Sequence, residues 1–148
     1  MPLQLEIVTP EARIFPGKDA EGRPVSGEVD SVVLPGSDGE LGILPHHVPL
    51  VTTLKPGELV YSTGGKVEYF AVGTGFVEVT GDRVCVLTDM AKGESDIDEK
   101  SVEDALKRAQ ERLDSIKHDS ASEEVAAVQA MIQKSMAQLH VKRRRRNI

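Results

Sequence analysis

Residues Gly75-Phe76-Val77-Glu78-Val79-Thr80-Gly81-Asp82-Arg83-Val84-Cys85-Val86-Leu87 decide the fold. Apolar positions recur every second residue on both sides of Thr80-Gly81-Asp82, the pattern of two half-buried strands joined in a hairpin. The same period runs back to the N-terminus. Leu3, Leu5 and Ile7 alternate with Gln4 and Glu6 to open the chain, and Ala12 to Phe15 follows the Thr9-Pro10-Glu11 turn. A polar loop covers 16–27, and Val29 to Leu34 returns to strand. Leu50 to Leu54 and Glu58 to Ser62 flank the turn Lys55-Pro56-Gly57, and Thr63-Gly64-Gly65 leads into Lys66 to Val72. Many short strands with frequent Gly or Pro turns predict an antiparallel sandwich or flattened barrel.

After Asp89 the period changes to 3.6. Asp96 with Glu99 is read as a capping box, ahead of a face made by Val102, Ala105, Leu106, Ala109, Leu113 and Ile116. A break over 118–122 carries a second box, Ser120 with Glu123, and Val125, Val128, Ile132, Met136 and Leu139 stripe the next helix. The expected organisation is a β-sandwich over 1–90 and an antiparallel two-helix hairpin with a basic tail over 91–148. The seam between the helices relies on alanines. A buried aliphatic side chain contributes only about 1.5–3 kcal/mol, against roughly 1–2 kcal/mol of backbone entropy for each ordered residue. Such an arm should hold only against something else.

Composition narrows the function. A chain of 148 residues with no Trp, two Tyr and three Phe must build an aliphatic core, and it has no aromatic platform for nucleic acid. The single cysteine, Cys85, excludes an intrachain disulfide framework and fits a reducing compartment, where it is expected as a small buried hydrophobe. The first residues are not those of a signal or transit peptide, and no run approaches the roughly 18 apolar residues of a membrane span, so a soluble chain is expected. Net charge is −6, and removing the five positive charges of Lys142 to Arg146 leaves −11. The acidic bulk works against polyanion binding by the basic tip.

The segment Val33-Leu34-Pro35-Gly36-Ser37-Asp38-Gly39-Glu40-Leu41-Gly42-Ile43-Leu44-Pro45-His46-His47-Val48-Pro49-Leu50 holds no nucleophile–base pair. Its glycines lack the Lys and following helix of a phosphate loop, and Asp38 and Glu40 would repel phosphate. A carboxylate beside apolar groups reads instead as a docking loop. His46 and His47 point to opposite faces of an extended segment and cannot readily share a metal, so no metal site is expected. On the first helix, Lys107, Arg108, Arg112 and Lys117 form a basic strip, with Glu103–Lys107 and Asp104–Arg108 as i,i+4 pairs.

These motifs, in this order, resemble the epsilon subunit of the bacterial F-type ATP synthase. The resemblance lies in Val33 to Pro45 with His47 and Pro49, in Leu54-Lys55-Pro56-Gly57-Glu58, in Gly75 to Val79, and in Val84 to Ala91 ahead of the helical pair. It implies a ten-stranded flattened sandwich plus a two-helix C-terminal domain, with no catalytic residue and no required cofactor. It also implies a rotor subunit, peripheral on the cytoplasmic face of the bacterial membrane and held there only through the complex. Its partners would be the gamma subunit, the ring of c subunits and the alpha and beta subunits. On that resemblance Glu40, Leu41, Gly42 and Ile43 are the expected ring contacts and His47 lies nearer gamma. An extended arm would bring Lys107, Arg108, Arg112, Arg143 and Arg144 to a beta subunit and inhibit hydrolysis.

Two departures stand out. Some bacterial members bind ATP through Ile/Leu-Asp-x-x-Arg-Ala, whereas this chain reads Ile97-Asp98-Glu99-Lys100-Ser101-Val102. Ile97, Asp98 and Arg108 remain of a nucleotide set, but a phosphate partner is missing, so weak or absent ATP binding is expected. The loop from Gly17 to Gly27 is longer than in the family and is read as a surface insertion. The competing readings are a free-standing sandwich enzyme or ligand-binding protein, and a regulatory adaptor outside the synthase.

Overall fold

The computed structural model describes residues 2–116 and 122–144. The break over 118–122, the Ser120–Glu123 box, Lys117, His118, Arg145 and Arg146 therefore lie outside the described residues or depend on them.

Among the described residues the N-terminal part has eleven strands: β1 (Leu3–Val8), β2 (Arg13–Phe15), β3 (Glu28–Val29), β4 (Ser31–Gly36), β5 (Gly39–Ile43), β6 (Leu50–Leu54), β7 (Gly57–Thr63), β8 (Lys66–Val72), β9 (Gly75–Thr80), β10 (Arg83–Thr88) and β11 (Ala91–Gly93). They form two layers. One runs β11-β8-β7-β4 with β5 on β4, and the other runs β6-β9-β10-β1 with β2 and β3 both on β1. Between β4 and β6 the layers are joined by a single residue pair, Gly36 with Leu54.

The deciding hairpin, β9 with β10, sets Val79 opposite Val84 and Val77 opposite Val86, all inside. Strand β1 then adds Leu5 beside Val84 and Ile7 beside Val86, but it runs parallel to β10. Among the described residues this is the one parallel pairing, the other strand pairs being antiparallel. No tight turn joins two strands from opposite ends of the domain, so nothing forces them antiparallel. The core is aliphatic as composition requires: Leu3, Leu5, Ile7, Val77, Val79, Val84 and Val86 face Val32, Leu34, Ile43, Leu59 and Val72. Phe15, Tyr61 and Phe70 close one end, with ring centroids 4.8 to 6.3 Å apart.

Two boundaries differ from expectation. Strand β11 pairs Ala91 with Val72 and Gly93 with Phe70, so the sheet continues past residue 90 to Gly93. A short 3-10 turn, Glu94–Asp96, follows. Asp96 falls inside that turn, and Asp98 caps the first helix instead, its Oδ1 accepting the Ser101 N–H at 3.2 Å. The cap moves because Ile97 is buried at 3 % exposure in extended backbone, which holds off the helix until it is seated.

Helices α1 (Glu99–Ile116) and α2 (Ser122–Arg144) pack together, and α2 lies on β7 and β8. The seam contains Ala71, Ile97, Val102, Ala137, Leu139 and Val141, with Tyr69, Met90 and Leu106 beside them. The single stripe expected on α2 is corrected. Val128 and Leu139 are buried, but Met136 is 55 % exposed, while Ser135, Ala137, Gln138 and Val141 are inside. The C-terminal half of α2 meets both α1 and the sheet, which widens its buried face beyond one stripe.

Candidate functional site

Hairpin β4–β5 pairs Val32 with Ile43, Val33 with Gly42, Leu34 with Leu41 and Pro35 with Glu40. Alternation therefore sends Leu41 and Ile43 inward and leaves Glu40 and Gly42 exposed. Ile43 is 1 % exposed and belongs to the core, so its side chain offers a ring nothing in this structure. Leu41 is half-buried against the same core. The apolar tip lies further on, at Leu44 (62 % exposed) and Val48 (71 %). Between them a turn is closed by the His47 N–H on the Leu44 carbonyl at 3.2 Å. Pro45 presets its first central position, and His46 takes the left-handed one at φ 68°. His47 is half-buried as a residue, and its Nδ1 lies 2.7 Å from the Val48 carbonyl, which can only accept.

A second surface was legible in the alternation but not singled out. Since Val77, Val79, Val84 and Val86 point inward, their neighbours must line the outer face of β6-β9-β10-β1. Register aligns Thr53, Phe76, Leu87 and Val8 in one row across the four strands. Val51 (69 % exposed) and Phe76 (45 %) stand out from it. Cys85 shares this face and is half-buried rather than a core residue. Partial burial, and then the Glu6 and Glu78 carboxylates, push its thiol pKa up despite the opposing Arg83 charge, which makes it a poor nucleophile.

The helical arm distributes its cations unevenly. Lys107, Arg108 and Arg112 are exposed on α1. Arg112 reaches Glu124 on α2 at 2.9 Å, and Arg108 and Arg112 rim a groove of about 400 Å³ floored by Ala105, Ala109, Ala127 and Val128. Glu103, expected beside Lys107, is drawn across to Arg143. Arg143 also takes Glu99 at 2.8 Å, and its pKa is raised by that hydrogen bond and the Glu103 carboxylate. Arg144 pairs with Glu58 on β7, which raises its pKa, with smaller contributions from Tyr69 and Glu40. Arg143 and Arg144 are thus both engaged within the chain.

The residues left from a nucleotide set are not brought together. Ile97 is buried in the seam, Asp98 is occupied as a cap, and Arg108 stands ten residues further along, about 15 Å by helix rise. Among the described residues no group of three or more His, Cys, Asp or Glu could hold a metal ion. No helix among them is long and apolar enough to cross a membrane.

Family models of the ATP synthase delta/epsilon chain match both parts in order, the beta-sandwich domain over residues 2–94 and the long alpha-helix domain over 95–143. An ATP synthase epsilon chain from Syntrophotalea carbinolica is 41 % identical over 94 % of this chain and 92 % of its own length. One from Herpetosiphon aurantiacus is 37 % identical over 99 % and 98 % respectively. A chain in the Euglena gracilis mitochondrial ATP synthase shares the fold at TM-score 0.71 and 20 % identity, covering 92 % of this chain and 78 % of that one.

Proposed function

From the premise that this chain belongs to the ATP synthase delta/epsilon family, as an epsilon-type subunit without a catalytic role, we propose that it is a rotor subunit of a bacterial F-type synthase. In this reading it joins the gamma subunit to the ring of c subunits, couples proton-driven rotation to ATP synthesis, and restrains hydrolysis through its helices. It sits peripherally on the cytoplasmic face of the membrane, held there by the complex. The observation that carries the reading is the match of both domains, in order, over nearly the whole chain.

Within this reading the ring contact is Glu40 and Gly42 with the Leu44 tip, and Leu41 acts as support. Gamma takes the side around His47 and Val48, continuing onto Val51 and Phe76. That assignment rests on exposed apolar side chains along one edge and the adjoining strand, a surface the helical arm does not cover. The extended arm presents Lys107, Arg108, Arg112, Arg143 and Arg144 to acidic groups of a beta subunit. ATP is not a strong ligand of the arm, because Ser101 stands where the motif carries Arg.

One reconstitution tests the reading. The full chain and a chain ending at Glu94, which keeps β11 whole, are each assembled with gamma and the catalytic subunits. Both should co-purify with gamma at low salt, and the shortened one should hydrolyse ATP severalfold faster. No complex with gamma would end the rotor assignment, and equal hydrolysis would end the inhibitory one. Calorimetry should give no micromolar ATP affinity.

A further inference from the structure

Five basic side chains along the C-terminal half of α2 each reach a defined acceptor. Lys134 pairs with Asp89, whose carboxylate also accepts the Thr74 hydroxyl at 3.2 Å. His140 Nε2 lies 3.4 Å from Glu58. Lys142 Nζ donates to the Glu94 carbonyl at 3.2 Å, and Arg143 bridges Glu99 and Glu103. Arg144 donates through Nε to one oxygen of Glu58 at 2.9 Å and through its terminal nitrogen to the other, while its guanidinium lies 4.7 Å from the centre of the Tyr69 ring.

These contacts are not equivalent. Arg143 ties α2 to α1 and Lys142 ties it to the linker, so neither fixes the arm to the sandwich. Lys134 on Asp89 does so through a carboxylate whose side chain is 39 % exposed, and Glu58 does so from a more enclosed position. The Glu58 side chain is only 11 % exposed, on the outer face of β7 beside Ala71, and it receives a bidentate arginine stacked on an aromatic ring. A carboxylate this enclosed is costly to leave without its cation, so the pair resists separation more than exposed bridges do. The apolar seam beside it, built from Ala71, Ile97, Val102, Ala137, Leu139 and Val141, adds burial that is non-directional, whereas the ion pair needs one defined geometry.

We propose that Glu58 and Arg144, with Tyr69 as the stacking platform, form the latch that holds the helical arm on the sandwich. Arg144 can serve the latch or an acidic partner surface, not both. The first statement concerns the chain alone. The second rests on the proposed rotor function.

The test uses the full-length chain with Cys85→Ser and two dyes, one at Thr80 on the sandwich and one at Met131 on α2, read by energy transfer. Glu58→Gln and Arg144→Gln should each lower the docked-to-lifted ratio about tenfold or more, the scale of a hydrogen bond to a charged group. Arg144→Lys keeps the charge but loses the fork and the stacking, and should fall between. The exchange Glu58→Arg with Arg144→Glu should recover part of the loss. Glu103→Gln loosens the hairpin but should leave docking intact. Hydrogen exchange of the core strands, unchanged throughout, separates release of the arm from unfolding. Docking unaffected in both single variants would overturn the latch, as would a loss in Glu103→Gln equal to theirs. For the second statement, poly-glutamate should lower docking of the unsubstituted chain at fixed ionic strength, and no effect there would overturn the competition. None of these outcomes depends on gamma binding, which tests the rotor assignment separately.

Discussion

Gly75 shows how much one backbone position can constrain. It opens β9 at φ +154°, and a Cβ there would run into the Leu87 carbonyl and stand 2.8 Å from the Thr88 Cα. Both obstacles are main chain of the paired strand, so neither can step aside. Gly75→Ala should therefore destabilise the sandwich by about 2–4 kcal/mol, read as a lower midpoint in urea. The sequence pattern places this glycine at the start of a strand but does not show the close approach, because proximity to Leu87 depends on pairing register. Ile43 and Cys85 teach a related lesson. The alternation that puts Val84 and Val86 inside already requires Cys85 outside, and the pairing of Val32 with Ile43 sends Ile43 into the core. Assigning contacts by motif overlooked that parity. Cys85, with its raised pKa, should react with iodoacetamide at pH 8 more slowly than a free thiol, and faster as pH rises.

Among elements, the helices were the hardest to place from sequence. Their existence and antiparallel pairing were legible in the 3.6-residue period. Their exact starts were not, because the buried Ile97 delays α1 and moves the cap to Asp98. Asp98→Ala removes the acceptor for the Ser101 N–H and should cost α1 about 1 kcal/mol, seen as faster amide exchange in its first turn with the sandwich unaffected. The exposure of Met136 also lay beyond the pattern. A periodic stripe predicts one buried face, whereas α2 serves two neighbours in its C-terminal half. The acceptors of the tail were equally hidden, since Glu58 and Arg144 are separated by 86 positions. Nothing local links them.

For the whole molecule, the sandwich keeps its own core and the arm adds a separate seam. The chain ending at Glu94 should accordingly fold alone, with a cooperative urea transition and the amide protection pattern of the full chain. A broad, non-cooperative transition would show that the sandwich needs the arm. Strand β1 admits no such economy. Removing residues 1–8 strips Leu3, Leu5 and Ile7 from the core and leaves β2, β3 and one edge of β10 without a partner, so that variant should not fold.

The parallel pairing of β1 with β10 also sets an order of events on the ribosome. Strand β1 is made long before β10, so its partner on one side is not complete until Thr88 has been made. Until then β1 can pair only with the short strands β2 and β3, and its apolar row waits with the core half assembled. Long-range closure of this kind slows folding, because the loop must close before the contact rewards it. The domain should therefore acquire its protease-resistant form after translation of the last strand rather than progressively, with β1, the earliest of the strands, among the last to find its place.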